Sequence, residues 1–339
     1  MSSIDLTSLL SAVSDAAPAG PNLEDEASFA ELVTAAKGKP EQQFGETVIP
    51  GEEPDWRQVK SLAVALLGQT RDLRVGVTLT RALMVTDGVE GMADGLSLMR
   101  GWLDNMWDAL HPQLDPADPD PIQRTNTLAA LDDYDAAVRA ARDMPIVAAP
   151  RVGRFSYKDV LVATNKLPAP AGQTDAPSFA AIEAAFQDSS VEDVQKTAAE
   201  LGRALESIAG IEKSFTSHVG SARGVSLREL TGLLKGAHQT VTEQLAKKTP
   251  QGGDATDDVV AGAPGAAPAQ AAGVIRTRDD VLKTLDKLCD YFDRNEPSSP
   301  VPILLRRAKR LINKSFMDIV RDMASNGVSQ VELLRGSEE

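Results

Sequence analysis

The feature that most constrains this chain is the segment Thr249–Gly273, which offers almost no side chain that could enter a hydrophobic core. It reads TPQGGDATDDVVAGAPGAAPAQAAG, and small residues of this kind form flexible linkers. A Gly-rich coil of this length has a root-mean-square reach of roughly 25 to 30 Å. The sequence therefore predicts a large body before the linker and a small domain after it, each with its own core.

The composition on both sides of the linker favours helices over sheets. Aromatic residues make up only 4% of the 339 residues, and alanine and leucine dominate the apolar content. Alanine and leucine lose little side-chain freedom in a helix, whereas strands prefer β-branched and aromatic residues. We therefore predict an all-α protein.

Apolar residues recur three or four positions apart through most of the body, which indicates a succession of helices. The segment Gly38–Pro54 is rich in glycine and proline and is predicted to be a long loop. One helix is expected over 92–110, with Trp107 packed in the core, and another over 122–142. Only Met144–Val162 has strand-like content, which its proline and glycine residues limit to a short or edge strand.

These patterns predict four regions along the chain. We expect a helical N-terminal domain over residues 1–143, a helical middle domain over 144–248, the linker over 249–273 and a small C-terminal domain over 274–339.

The C-terminal domain carries more apolar surface than a unit of its size can bury alone. Two helices and a short third one, which includes Phe316, make up a unit of about 60 residues, and such a domain buries only about 60% of the surface its unfolded chain exposes. Leu304 and Leu305 are adjacent and cannot face the same core. We therefore predict that this domain self-associates, usually with cyclic symmetry. The candidate interface residues are Ile303, Leu304, Leu305, Ala308 and Phe316.

Charge argues against nucleic acid as the main partner. The formal net charge is −14, and an excess of negative charge opposes long-range attraction to phosphate. The stretch 303–314 nevertheless holds five lysine and arginine residues, so a nucleic-acid-binding regulator that uses this helix is the alternative hypothesis. A hydrolase with an unrecognised site is a further alternative.

The sequence supports no catalytic, cofactor or metal site. It has one cysteine, Cys289, and three well-separated histidines, without the spacing of a zinc site, and no phosphate-binding loop of the GxxxxGK[ST] type. Cys289 is expected to be a small buried hydrophobe. No run approaches the ~20 apolar residues that cross a bilayer, and the N-terminal segment lacks the positive start of a secretory signal. We therefore expect a cytoplasmic, non-enzymatic protein without direct membrane insertion.

Several motifs occur together in the first half of the chain: PAGPNLEDE (18–26), PDW (54–56), RDLRVGVTLTRALM (71–84), GMADGLSLMRGWLDNMWDALHPQLD (91–115) and RTNTLAAL (124–131). In this combination they resemble the ImpA N-terminal domain, which defines the TssA proteins of the bacterial type VI secretion system. The segment 279–311 and the FMDIV at 316–320 resemble the C-terminal domain of a shorter branch of that family, without a membrane segment.

The resemblance implies a structural assembly factor without catalytic residues. It implies a ring-shaped homo-oligomer, formed through the C-terminal region, that contacts the membrane complex, baseplate, inner tube and sheath. Its motif residues are expected to be structural, because each falls at a helix start, a helix end or a turn. These residues are Trp56, Arg71, Asp72, Trp107, His111, Pro112, Glu296, Pro297 and Pro300.

Overall fold

The chain is divided into two compact units, Met1–Ala255 and Thr256–Glu339. The structure, a computed structural model, describes residues 4–39, 42–44, 47–49, 51–115, 117, 119–168, 177–249, 278–295, 300–312, 314 and 318. Within these ranges no helix has both the length and the apolar character that crossing a bilayer requires.

Helices dominate the first unit, as the sequence predicts. They are α1 (Leu6–Leu10), α2 (Ala27–Ala35), α3 (Trp56–Leu67), α4 (Leu73–Thr86), α5 (Gly88–Asn105), α6 (Ile122–Ala129), α7 (Arg139–Asp143), α8 (Tyr157–Ala163), α9 (Phe179–Asp188), α10 (Val191–Val219) and α11 (Arg228–Lys248).

Two small antiparallel hairpins interrupt the helices. The first pairs β1 (Gln42–Phe44) with β2 (Thr47–Ile49), so the prediction of a loop throughout Gly38–Pro54 is wrong at these residues. Residues 47–49 are all β-branched, which favours extended backbone, but glycine and proline on both sides obscure this signal. The fold is therefore mostly helical, with short strands added, and not purely α.

The second hairpin lies where the sequence has strand-like content. Here β3 (Pro145–Ala149) pairs with β4 (Gly153–Ser156), which confirms the expected short strand. Helix α8 then begins at a capping box. The Ser156 hydroxyl accepts the backbone N–H of Asp159, and the Asp159 carboxylate accepts the backbone N–H of Ser156. The prediction of strand-like structure over Met144–Val162 did not include this helix.

Antiparallel packing of α4 and α5 forms the centre of the core. The two helices approach closely because Gly76 lies against the indole of Trp102 and Gly95 lies against Thr80. Helix α3 packs on α4, α10 packs along α5, and α11 packs on α10. One hydrophobic core therefore contains residues from both of the predicted helical domains.

Two predicted helices are shorter than the apolar periodicity suggests. Helix α5 ends at Asn105 instead of Leu110, so Trp107 lies in the following turn and not on a helix. The expected helix over 122–142 is broken after α6 into a 3₁₀ turn over 130–132 and a π turn over 134–138, before α7. At this break Asp133 is extended, and its carboxylate accepts the backbone N–H groups of Asp135 and Ala136, both at 2.9 Å.

The described part of the second unit is a helical hairpin. It consists of α12 (Arg278–Asn295) and α13 (Val301–Leu311), which pack on each other. Pro300 occupies the N-cap position of α13, Pro302 is buried in its first turn, and Lys309 pairs with Asp286 of α12. The predicted third helix with Phe316, and the motif residues Glu296 and Pro297, lie outside the described residues.

Candidate functional site

Four of the sequence motifs meet at one buried junction in the first unit. We call it the motif junction; it consists of residues 18–22, 70–74, 107–112 and Arg124. Its main chains are linked by hydrogen bonds from Arg71 N to Ala19 O at 2.7 Å, from His111 N to Arg71 O at 3.1 Å, and from Leu73 N to His111 O at 2.9 Å. The start of α4 is therefore held between an N-terminal loop and the turn that follows α5.

Arg71 uses its side chain to bind main-chain carbonyl groups. Its Nε donates to Ser11 O at 3.0 Å and its Nη2 to Ser8 O at 3.1 Å, while Nη1 donates to the carbonyls of Leu67 and Thr70. Burial lowers the pKa of this guanidinium. Arg71 thus connects α1 to the end of α3.

Asp72 caps α4 and forms an ion pair. Its carboxylate accepts the backbone N–H of Arg74 at 2.8 Å, and the Arg74 guanidinium donates to the same carboxylate at 2.7 Å. Arg74 also pairs with Glu24 at 2.8 Å, and this hydrogen bond holds the pKa of Glu24 below its ordinary value. The pairs connect the segment after PAGPN to the first turn of α4.

His111 lies at the centre of the junction, followed by Pro112 after a cis peptide bond. Its Nε2 is 3.0 Å from the carbonyl oxygen of Gly20, and its Nδ1 is buried without a hydrogen-bond partner. Gly20 has φ +71°, and a Cβ atom there would be 2.1 Å from Gln69 O. Only glycine fits this close approach of two main chains.

Arg124 closes the junction from α6 and is fully buried. Its Nε donates to Pro112 O at 2.7 Å, its Nη1 to Trp107 O at 2.9 Å and its Nη2 to Leu110 O. Burial lowers the pKa of Arg124 to about 10. These three acceptors give a physical reason for the early end of α5, since the carbonyls converge on one guanidinium instead of continuing a helix.

Trp107 connects this turn to α10. The Arg124 guanidinium carbon lies 4.5 Å from the indole centroid, and the His218 ring stacks on the indole at 4.2 Å with an interplanar angle of 2°. The Phe215 ring contacts the indole edge-on at 5.5 Å. Trp107 is thus part of the packing between α5 and α10, as expected, although it lies in a turn.

Trp56, the remaining motif residue of the body, lies apart from the junction. It is the first residue of α3, where Asp55 caps the helix by accepting the N–H groups of Arg57 and Gln58. The guanidinium carbon of Arg81 on α4 lies 5.3 Å from the Trp56 ring centroid.

The junction has the chemistry of a structural joint. Arg71 and Arg124 bind carbonyl oxygens of the main chain, and Asp72 both caps α4 and pairs with Arg74. Throughout the part of the chain that the structure describes, no group of three or more His, Cys, Asp and Glu side chains could hold a metal ion.

An open cleft of about 540 Å³ lies between the α4–α5 turn, β3 and the start of α10. Several charged groups along it are engaged with neighbouring side chains. Lys196 pairs with Glu90 at 2.8 Å, and Asp193 accepts the hydroxyl of Ser190, which caps α10.

The candidate interface residues of the second unit are largely exposed. On α13, Ile303 is 69% exposed and Leu304 is 64% exposed, Leu305 is half-buried and Ala308 is exposed. Phe316 lies outside the described residues. Cys289 on α12 is buried, as expected for a small hydrophobe.

Arg124, Arg81 and His218 were not among the residues predicted from the sequence, although two of them belong to motifs. RTNTLAAL contains Arg124, and RDLRVGVTLTRALM contains Arg81. An arginine inside an apolar helix pattern was the available signal, because it must find acceptors when the helix is buried.

The described residues form a helical body, which a junction of main-chain-binding arginines holds together, and a helical hairpin with several exposed apolar side chains. Comparisons with known proteins then give the family. The family profile described as "ImpA, N-terminal, type VI secretion system" matches residues 10–133. The chain is also 39% identical over 345 residues to the type VI secretion system component TssA1 of Pseudomonas aeruginosa, covering 99% of each protein. The chain belongs to the TssA family.

A solved structure supports the fold. The chain is similar to the N-terminal domain, including the conserved ImpA_N region, of the TssA component of the type VI secretion system from Burkholderia cenocepacia. The TM-score is 0.58 at 23% sequence identity, over 72% of this chain and 94% of that one. None of these findings favours the nucleic-acid-binding alternative, and Lys309 in its basic helix is paired with Asp286.

Proposed function

We propose that this protein is a structural assembly component of a bacterial type VI secretion apparatus, without enzymatic activity. Full-length similarity to a protein named as a component of that system supports the role. The proposed layout keeps the helical body over 1–143 and 144–248, the linker over 249–273 and an oligomerisation domain over 274–339.

The second unit forms the ring in this proposal. The observation that carries it is the exposure of two adjacent large apolar residues, Ile303 and Leu304, on α13. A hairpin of this size gains stability when a copy of itself covers such residues, and closed cyclic symmetry is the usual result. Leu305, Ala308 and Phe316 complete the proposed interface.

The first unit supplies contacts to the other components: baseplate, membrane complex, inner tube and sheath. A ring presents several copies of the body on linkers, so weak single contacts add up to strong overall attachment. This would explain why the body has a rigid internal joint and a separate assembly domain.

The experiment is a charge substitution on α13 in the full chain. Ile303→Asp and Leu304→Asp are each expected to shift the protein from a closed oligomer to a monomer in analytical ultracentrifugation. Val33→Asp, at an apolar residue that is 40% exposed on α2, is the matched control and should leave the oligomer intact. A wild-type chain that sediments as a monomer, or aspartate variants that remain oligomeric, would refute the proposed ring interface.

A further inference from the structure

Six arginines of the first unit are buried or half-buried in the part of the chain that the structure describes: Arg71, Arg74, Arg81, Arg124, Arg142 and Arg203. Five of them donate hydrogen bonds. Arg71 and Arg124 bind main-chain carbonyls, and the other three bind carboxylates. Arg81 is the exception: its Nε is buried without a hydrogen-bond partner.

The groups around Arg81 are already engaged elsewhere. Its guanidinium lies over the ring of Trp56, and the charged groups nearest to it are Asp133, Arg139 and Glu53. Glu53 pairs with Arg139 at 3.0 Å. Asp133 accepts two backbone N–H groups at the start of the π turn. Neither carboxylate forms an ion pair with Arg81.

The buried Nε–H of Arg81 is unfavourable as it stands, because it has given up water and received no hydrogen bond in return. Burial accordingly lowers the pKa of Arg81. The chain has 49 acidic residues against 35 basic ones, yet the two carboxylates nearest to Arg81, Glu53 and Asp133, are engaged with other groups. Such a site stays incomplete until a group from outside supplies the acceptor.

We propose that Arg81, backed by Trp56, receives an acidic side chain of a partner protein. Only the identity of that partner, as another component of the secretion apparatus, rests on the proposed function. A guanidinium fork binds a carboxylate through two parallel hydrogen bonds, and the contact of Arg81 with the indole of Trp56 restricts its position beforehand. Arginine and tryptophan are also the residues most enriched at the energetic centres of protein interfaces.

The surroundings favour a protein carboxylate over a free anion. Residues 78, 81 and 85 form the outer stripe of α4, and Val85, one turn beyond Arg81, is 50% exposed. A free anion would bind the guanidinium without covering the apolar side chain of Val85. A partner segment with an aspartate or glutamate and an apolar residue one helical turn away would contact both.

Stability provides the first arm of the test. Arg81→Met keeps an apolar stem against Trp56 and removes the charge, so the urea midpoint of the full-length protein should stay the same or rise. Arg203→Met, which breaks the pairs with Asp94 and Glu200, is the matched control and should lower the midpoint. A lower midpoint for Arg81→Met would mean that Arg81 already has a partner within the chain and would overturn the inference.

Cross-linking provides the second arm. The photoreactive amino acid benzoylphenylalanine is placed at Val85 of the full-length protein in its own bacterium, with Thr242, exposed on α11, as the control position. We expect a cross-link from position 85 to a segment with an acidic residue, and at least about a tenfold lower yield with Arg81→Met, because truncating one member of a buried charge pair costs more than that factor in affinity. Arg81→Lys should retain part of the yield.

A charge exchange completes the test. Arg81→Glu should abolish the cross-link, and changing the acidic residue of the cross-linked segment to arginine should restore it. A cross-link that Arg81→Met leaves unchanged, or a segment without an acidic residue, would contradict the inference. The oligomeric state of each Arg81 variant is measured alongside and should match wild type, so a failure of the ring proposal is seen separately.

Discussion

Single arginine side chains hold the first unit together at its least regular places. Arg71 and Arg124 are buried where helices end and loops cross, and both bind carbonyl oxygens instead of carboxylates. A guanidinium has five N–H donors in a fixed plane, so one side chain can satisfy several helix-end carbonyls at once. Lysine, with a compact ammonium group, cannot span the same acceptors.

Replacing Arg124 by methionine should destabilise the first unit by about 3 kcal/mol or more, because hydrogen bonds from a charged donor contribute roughly 1.5 to 3 kcal/mol each and three carbonyls would lose theirs. Urea unfolding followed by tryptophan fluorescence measures the change. Arg142→Met removes a half-buried arginine whose partners, Asp143 and the Tyr134 hydroxyl, belong to exposed residues, and it should cost less than about 1 kcal/mol. Equal losses in the two variants would contradict the role given to Arg124.

Tyr157 should make the first unit sensitive to alkaline pH. Its hydroxyl lies where a Cβ atom on Gly236 of α11 would be, and burial raises the pKa of this phenol. Because the pKa is raised in the folded state, folding favours the neutral phenol. Its contribution to the free energy of unfolding is fully present below pH ~10, the pKa of an unfolded tyrosine, and is lost as pH rises through the folded pKa. Urea midpoints of Tyr157→Phe should therefore fall less steeply than wild type between pH 9.5 and 11; parallel curves would remove Tyr157 as the cause.

Among the elements, those with a strong apolar period could be predicted and those set by distant contacts could not. Helices α3, α4, α10 and α11 follow from local sequence, as the stripes of Val59, Ala63 and Leu66 on α3 illustrate. The end of α5 depends on Arg124, which lies far along the chain, and no local pattern contains that information. The break at 130–138 likewise involves a distant contact, because the carboxylate of Asp132 accepts two of the first backbone N–H groups of α11.

The same limit applies to the candidate sites. The motif residues could be placed at helix ends and turns from the sequence, but their meeting at one junction depends on tertiary contacts such as His111 with Gly20. The exposure of one of the adjacent residues Leu304 and Leu305 was foreseeable, since two neighbouring residues cannot share one direction on a helix. The missing partner of Arg81 could be recognised only after its neighbours were known to be engaged.

Asp132 tests the coupling between distant elements. Its carboxylate accepts the backbone N–H groups of Leu230 at 2.8 Å and Glu229 at 3.3 Å, and so caps α11 from outside that helix. Asp132→Ala should cost about 0.5 to 2 kcal/mol, the usual range for loss of a helix cap. Asp135→Ala, at an exposed neighbour, is the control and should change the free energy of unfolding by less than about 0.5 kcal/mol. Equal effects would argue against the cap.

The contact between α4 and α5 is so close that adding one methyl group at Gly95 should lower the stability of the first unit. A Cβ atom on Gly95 would lie 2.3 Å from Thr80 Oγ1 and 3.0 Å from its Cα, which belongs to the backbone and cannot move aside. Gly95→Ala should therefore destabilise the first unit by about 1 to 3 kcal/mol. Gly232→Ala, on α11 with open space around it, should stabilise by about 0.4 to 1 kcal/mol. Circular dichroism during thermal unfolding compares the two; a neutral Gly95→Ala would show that the helices can separate.

At the scale of the whole molecule, the two units have different physical tasks. The first has an extensive hydrophobic core of its own, and its buried polar groups are nearly all paired within it. The described helices of the second unit show an apolar surface instead, including Leu288 and Tyr291 on α12 in addition to Ile303 and Leu304. Stability of the first unit should therefore be independent of assembly, whereas the second should depend on its copies.

Truncation after Ala255 tests this division, because it removes the second unit and leaves the first complete. The shortened chain should sediment as a monomer and should keep the wild-type urea midpoint by tryptophan fluorescence. All three tryptophans, Trp56, Trp102 and Trp107, lie in the first unit, so fluorescence follows that unit alone in both proteins. The full-length chain should show, by circular dichroism, a second transition whose midpoint rises with protein concentration, since unfolding linked to dissociation depends on mass action. A concentration-independent second transition would mean that the hairpin is stable without its copies, and a lowered midpoint in the truncated chain would mean that the body needs the ring in order to fold.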